Sequence, residues 1–389
     1  MNHLEGIKSS RHVCTHTMRH WDIANVYGTY QRAITMGVFG CHEVRPRQGS
    51  LSAPWDVTSG KLFTPPNLVE IPDRLSDLLD QRAIEINDIA NQQGKRIAIM
   101  WSGGIDSTAV LSSFIKNLSS QDLEKITIVL TLASIKENVN FYREYISNKH
   151  PCISFFDLDV TDEFLDKYIL LHGDPGDCIF GPSVGMYASL LATNNHLDPW
   201  KDNIKFLGDS IETYFCSARQ QWYNDITGFG PWYAKQVSNN LLEVQPPGID
   251  SIADWWWWNY FNLKWEFSIW RPFFKTRKNH QLPISIANIE SYVKTSYFNT
   301  DKFQLWSYSN RKTHIGNTRL HHKMEAKKYI MELDNNPNYF NNKTKVESAP
   351  SNYLLIDLPI YYDENWVGHY VNEPGLEDAV IELLENFAG

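Results

Sequence analysis

The feature that most constrains this chain is an apolar run that breaks at two glycines and restarts at once as a helix. Arg96-Ile-Ala-Ile-Met-Trp101 has the length and composition of a buried strand. It leads directly into Ser102-Gly103-Gly104-Ile105-Asp106-Ser107, and a helical pattern follows from Ser107 to Lys116. Each part of the turn has a physical use. Two glycines open backbone angles closed to other residues and let the chain approach a ligand closely. Successive N–H groups in such a turn make an anion-binding nest. The unpaired N–H groups and the dipole of the new helix add to it. Ser102, Ser107 and Thr108 supply hydroxyl donors to phosphate oxygens. Bare phosphate would repel Asp106, so its presence points to a bridging Mg²⁺. Other phosphate loops fit worse: there is no GxxxxGK[ST] and no GxGxxG after a strand, and Gly104-Ile-Asp-Ser107 is not a GxSxG elbow.

The surroundings repeat the strand–helix alternation. Leu75, Leu78, Leu79, Ile86, Ile89 and Ala90 recur at helical spacing, so Pro72–Gln93 reads as an amphipathic helix with Pro72 in its first turn and Gly94 at its end. Ile126–Leu132 reads as a second buried strand, Asn138–Asn148 as a helix and Ile153–Asp159 as a third strand. Asp162–Leu170 and Ser183–Thr193 look helical, and Asn203–Leu207 reads as a fourth strand. Alternation of this kind implies parallel pairing, so the expected fold class is α/β, with an open, mainly parallel sheet flanked by helices over 72–215. Residues 1–71 read as an irregular extension, 216–345 as a mainly helical, aromatic-rich lobe, and 346–389 as a tail with an apolar run at Tyr353–Ile356 and a last helix near Leu376–Phe387.

Composition narrows the function classes. No run of about 18 apolar residues predicts a membrane span, and the stretch Met1–His20 has no apolar core of a secretory signal. Five cysteines, odd in number and without a CxxC pair, suit reduced thiols in a cytoplasm. A net charge of -9 speaks against nucleic acid as the main partner, though a local basic groove would still bind it.

Ser102-Gly-Gly-Ile-Asp-Ser-Thr108 resembles the SGGxDS signature of the PP-loop ATP pyrophosphatases. The resemblance implies an enzyme that binds ATP and Mg²⁺, adenylates a carboxylate or similar oxygen with release of pyrophosphate, and lets ammonia or an amine displace AMP. Of that superfamily, the asparagine-synthetase branch is the most similar, with a helix before the signature and a second motif, SGxGxDExFGG, at the pyrophosphate and metal. Two segments resemble this motif. His172–Gly181 matches by residue type, through Gly173, Asp174, Asp177, Phe180 and Gly181; Phe206–Phe215 matches by position, through Gly208, Asp209 and Glu212. The resemblance leaves both open. Tyr339–Val346 resembles the branch's late lysine segment, which makes Lys343 or Lys345 the counterpart of its charge-stabilising lysine. The strand end around Leu130 and Leu132 would lie against adenine. By the same resemblance Asp106, Asp177 and Glu212 are the expected metal ligands, and Asp174 and Asp209 the acidic groups beside the reacting atoms. The branch's cysteine nucleophile has Asn2 in its place and little chain precedes the loop. The expected nitrogen source is therefore free ammonia, an amine substrate or a separate glutaminase.

His12, Cys14, His16 and His20 are metal-capable but lack the second cluster of a zinc site. His321 and His322 beside Lys323 read as a solvated helix face. The run Trp255–Trp258 offers flat surfaces for stacking a base, but Trp258, Phe261 and Trp265 fall on one helical face and read as core. The rival readings are an enzyme that modifies a nucleobase in RNA or DNA, and a non-catalytic nucleotide-binding protein.

Overall fold

The computed structural model describes residues 74–180, 196–218, 229–265, 284–311 and 323–343, a few residues between 268 and 276, and two short strands at 360–362 and 368–370. In chain order the main elements are α1 (Leu75–Gln93), β1 (Arg96–Met100), α2 (Ile105–Asn117), β2 (Ile126–Leu130), α3 (Leu132–Glu137), β3 (Cys152–Ser154), α4 (Asp162–Lys167), β4 (Tyr168–His172) and α5 (Gly176–Phe180). They continue with α6 (Ile204–Ala218), α7 (Phe229–Val244), α8 (Ile252–Trp258), α9 (Ile286–Thr295), α10 (Asp301–Asn310), α11 (Met324–Asp334), α12 (Pro337–Asn342), β5 (Ile360–Tyr362) and β6 (Gly368–Tyr370).

The chain groups into two compact units. One holds the described residues 74–174, 276, 284–303 and 323–343 with the two short late strands, and contains the parallel sheet. Its strand order is β3-β2-β1-β4, with every pair parallel. β1 sits inside because Ile97 to Met100 are apolar and buried on both faces, which suits a strand covered above and below. α1 is amphipathic as its leucine spacing predicts. It starts at Leu75 and stops at Gly94, whose φ of 64° is the left-handed cap that lets its N–H reach back to Ala90 and Asn91 carbonyls. Arg82 of α1 is buried and gives its guanidinium to the carbonyls of Lys294, Ser296 and Tyr297, tying α1 to the end of α9.

Several expectations are corrected here. Asp162–Leu170 is not one helix. α4 stops at Lys167, and Tyr168–His172 pairs along the whole of β1, from Arg96 with Tyr168 to Met100 with His172. The apolar run Ile169-Leu-Leu171 gains more from burial between strand and helices than from another helical turn. Asn203–Leu207 is not a strand. A 3-10 turn, Trp200–Asn203, leads into α6, in which Leu207 and Ile211 share a buried face. The second strand ends at Leu130, where Thr131 caps α3 by accepting from the Ser134 N–H. The third is only Cys152–Ser154, and Asn138–Asn148 is one helical turn followed by a π-helical turn, Tyr142–Ile146. Residues 284–303 and 323–343 group with the sheet. Ser183–Thr193, residues 1–71 and the helix near 376–387 lie outside the described residues.

The other unit holds the described residues between 175 and 275 and from 304 to 311. Trp255 to Trp258 are all buried there, as are Phe261 and Trp265. Four consecutive tryptophans cover every side of a helix, so α8 is enclosed all round. Its indoles are anchored: Trp255 donates to Ser238 Oγ, Trp257 to Ser307 Oγ and Trp258 to Asn240 Oδ1, at 2.9–3.1 Å. Among the described residues, no helix is long and apolar enough to cross a membrane.

Candidate active site

The loop after β1 lies where an open sheet places its ligands. The chain leaves β1 through α2 toward β2, while β4 lies on β1's other side. The crevice beyond the carboxyl ends of β1 and β4 is thus the switch point of the sheet. Trp101 prolongs β1 by donating from its N–H to Val129 O at 2.8 Å, and its indole donates to Thr108 Oγ1 at 3.1 Å. Gly103 then turns with φ 75°. A side chain there would overlap the Ser134 carbonyl oxygen and come within 2.9 Å of Glu137 Cβ. The turn is held from inside by hydroxyls: Ser107 Oγ accepts from Ser102 N–H at 3.0 Å, and Ser102 Oγ accepts from Gly104 N–H at 3.3 Å. Ser107 Oγ also donates to Gly104 O at 3.2 Å and lies 3.0 Å from Ser102 Oγ. Both serines thus shape the loop. Among the described residues, nothing accepts from the N–H groups of Gly103, Ile105 and Ser107. These three donors stand at or just before the start of α2, a 13-residue helix, where the helix dipole favours negative charge.

Charged side chains from α3, α11 and the end of α12 gather on this loop. Glu137 closes α3, and a Cβ on Gly104 would lie 3.5 Å from its Oε1. Lys343, just past α12, gives its ammonium to Glu137 Oε1 at 3.1 Å and to Glu137 O at 3.4 Å. Both members are deeply buried, with side chains 1% and 5% exposed. Burial pushes the Lys343 ammonium below its ordinary pKa, and Glu137 opposes that shift. Lys327, buried on α11, is pushed down to about 8, first by burial and then by the Lys343 charge. Lys323, at the start of α11, binds both carboxylate oxygens of Asp106. The buried Tyr339 hydroxyl stands by Thr108, and burial together with the carboxylates Asp334, Glu137 and Asp106 holds it well above its ordinary pKa.

The expected residues separate into two groups. Ser102, Gly103, Gly104, Asp106, Ser107 and Thr108 form the loop itself, and Lys343 meets it through Glu137. Leu130 is buried at the carboxyl end of β2, and Leu132 opens α3. Gly173 also belongs here: a Cβ on it would lie 2.6 Å from Ser107 N, so the chain leaving β4 passes directly over the loop. Asp174 follows it, half-buried. Asp177 is buried in α5, in the other unit. The 206–215 candidate is corrected: Gly208, Asp209 and Glu212 are interior residues of a helix in that other unit, not a glycine turn after a strand. Gly208 is small because α7 crosses it, so that a Cβ would lie 2.8 Å from Pro231 Cα. Glu212 Oε2 accepts from Gly230 N–H at 2.6 Å across the same crossing. Asp209 is exposed and pairs with Lys205 one turn earlier. Lys345 and Gly181 lie outside the described residues, as do His12, Cys14, His16 and His20.

Sequence reasoning missed Glu137, Lys323 and Lys327. Lys323 is buried rather than solvated, because Asp106 needs a cation and α11 delivers one. The available signal was the i, i+4 spacing of Lys323 and Lys327 on the same face as the apolar side of α11.

These observations define an α/β protein with an open four-stranded parallel sheet, carrying a loop of open amides and buried lysines at its switch point. No known protein family, no curated protein and no solved structure matches the chain.

Proposed function

We propose that this chain is a PP-loop ATP pyrophosphatase of the asparagine-synthetase type, forming AMP and pyrophosphate while joining an amine or ammonia to a carboxylate or similar oxygen acid. The observation that carries the reading is the set of Gly103, Ile105 and Ser107 amides without an acceptor among the described residues, on a loop whose Asp106 holds Lys323 and whose neighbour Glu137 holds Lys343. Lys323 and Lys343 each meet a carboxylate, Asp106 and Glu137, and Lys327 stands near Lys343 as a third cation.

In this reading the amides hold the two outer phosphates of ATP. A substrate carboxylate oxygen attacks the α-phosphorus, the bond from that phosphorus to the bridging oxygen breaks, and pyrophosphate leaves toward those amides. Lys327 and Lys343 offset its charge in a site with little water, where fixed cations act strongly. The amine then attacks the acyl carbon and AMP leaves. The chain mostly positions reactants and stabilises charge. Magnesium, when bound, would supply positive charge against the phosphates. Asp106 is the loop carboxylate that would hold it.

The passage of Gly173 over Ser107 supports residues 172–174, the start of the 172–181 candidate, as part of the pyrophosphate site. The enclosed tryptophans of α8 weaken the nucleobase reading, since rings buried in a core offer no stacking platform. The deciding assay is release of AMP and pyrophosphate across a panel of carboxylates and amines, with glutamine plus a glutaminase as one nitrogen source. Release of ADP and phosphate overturns the proposal.

A further inference from the structure

The Asp106–Lys323 pair is built into the loop in a way that an ordinary surface ion pair is not. The Lys323 side chain is 2% exposed and that of Asp106 18%. The ammonium meets both carboxylate oxygens. Lys323 itself has φ 55°, a left-handed backbone that a residue with a Cβ adopts only under constraint. One turn further along α11, Lys327 donates its N–H to Lys323 O at 3.0 Å, and its own side chain is buried near Lys343. α11 packs against α2, the helix that the loop begins. A cation carried on the chain therefore sits on the one loop carboxylate that a phosphate-bound divalent cation would need. A second cation cannot share that carboxylate without strong repulsion at this range.

We infer that Lys323 is an internal counter-cation: it occupies Asp106 in the nucleotide-free protein, excludes a divalent cation from it, and passes to the phosphate oxygens when a nucleotide brings that cation in. The exchange keeps every charge paired. The carboxylate trades an ammonium for a metal, and the ammonium trades a carboxylate for phosphate, while staying on the helix face that carries Lys327. This role rests on the nucleotide-binding reading above, and it makes Lys323 the residue that orders binding, with no metal before nucleotide.

The test is titration of the full chain with Mn²⁺, followed by loss of the free-ion paramagnetic resonance signal, with and without a non-hydrolysable ATP analogue. Wild type takes up Mn²⁺ at the loop only with the analogue. Lys323→Met takes it up without the analogue, roughly tenfold or more tighter than wild type, and adding Asp106→Asn to that variant removes the uptake. Equal Mn²⁺ affinity of wild type and Lys323→Met without nucleotide overturns the inference. Should Lys323→Met fail to fold, wild type decides alone: nucleotide-free uptake of Mn²⁺ that Asp106→Asn abolishes overturns it, and uptake only with the analogue supports it. Failure of the analogue to bind any form sinks the nucleotide reading instead, and the nucleotide-free comparison still shows whether Lys323 closes the carboxylate.

Discussion

Three glycines separate two costs that usually come together, and they test the geometry of the loop directly. Gly94 has φ 64° with nothing within 4 Å of an added Cβ. Gly94→Ala therefore carries only the left-handed backbone cost, roughly 1–2 kcal/mol. Gly173 has no unusual φ, but its Cβ would lie 2.6 Å from Ser107 N and 3.0 Å from Ser107 Cα, all of it backbone that cannot swing aside. Gly173→Ala carries an overpacking cost alone, about 1–3 kcal/mol. Gly103 combines both, with φ 75° and overlap on the Ser134 carbonyl, so Gly103→Ala is expected to cost roughly 2–5 kcal/mol. Urea unfolding followed by circular dichroism measures all three. Calorimetric titration with ATP adds a second axis. Gly94→Ala binds as wild type does, whereas Gly173→Ala displaces the Ser107 amide and loses about tenfold in affinity, the worth of one hydrogen bond to a charged group. The reasoning is refuted if Gly103→Ala is no more destabilising than Gly94→Ala, or if Gly173→Ala leaves both stability and ATP affinity untouched.

Lys343→Met takes the ammonium away from the buried Glu137 carboxylate and is expected to cost about 3–5 kcal/mol. Adding Glu137→Gln restores most of that stability but not AMP formation, and recovery of both in the double variant would reduce Lys343 to a structural role. Burial and Lys343 hold the Lys327 pKa at about 8 against an ordinary 10.5. The unfolded chain thus binds the extra proton between those values, and stability rises with pH from about 8 to 10.5. ATP affinity moves the other way, weakening as Lys327 loses its charge above pH 8, and Lys327→Met flattens both profiles. Asp334 is raised from 3.8 to about 6, first by burial, so its contribution is full below 3.8 and fades as pH climbs through 6. Asp334→Asn levels the stability profile across that window, as thermal melts at stepped pH would show. Asp209→Asn removes only an exposed pair with Lys205, so AMP formation stays at the wild-type rate and stability changes by under about 1 kcal/mol.

Local chemistry was enough to read the centre of the fold. Leucine spacing and Gly94 mark α1 to within a few residues, since amphipathic period and cap are written in the chain. Arg96–Met100 and the glycine turn announce strand, loop and helix because no other arrangement suits an apolar run that meets Gly103 and Gly104. Lys343 was reached only by resemblance. What the sequence could not decide was whatever depends on residues far apart meeting. Tyr168–His172 has no local feature that separates strand from helix, and only pairing along β1 settles it. Phe206–Phe215 has the residue types of a ligand loop, yet Gly208 serves a helix crossing with Pro231 and Glu212 serves the Gly230 amide. Lys323 and Lys327 look like solvated charges until α11 packs on α2 and carries them to Asp106 and Lys343. A charge reveals its role through its partner, and across more than two hundred positions of chain the partner is a property of the tertiary structure alone.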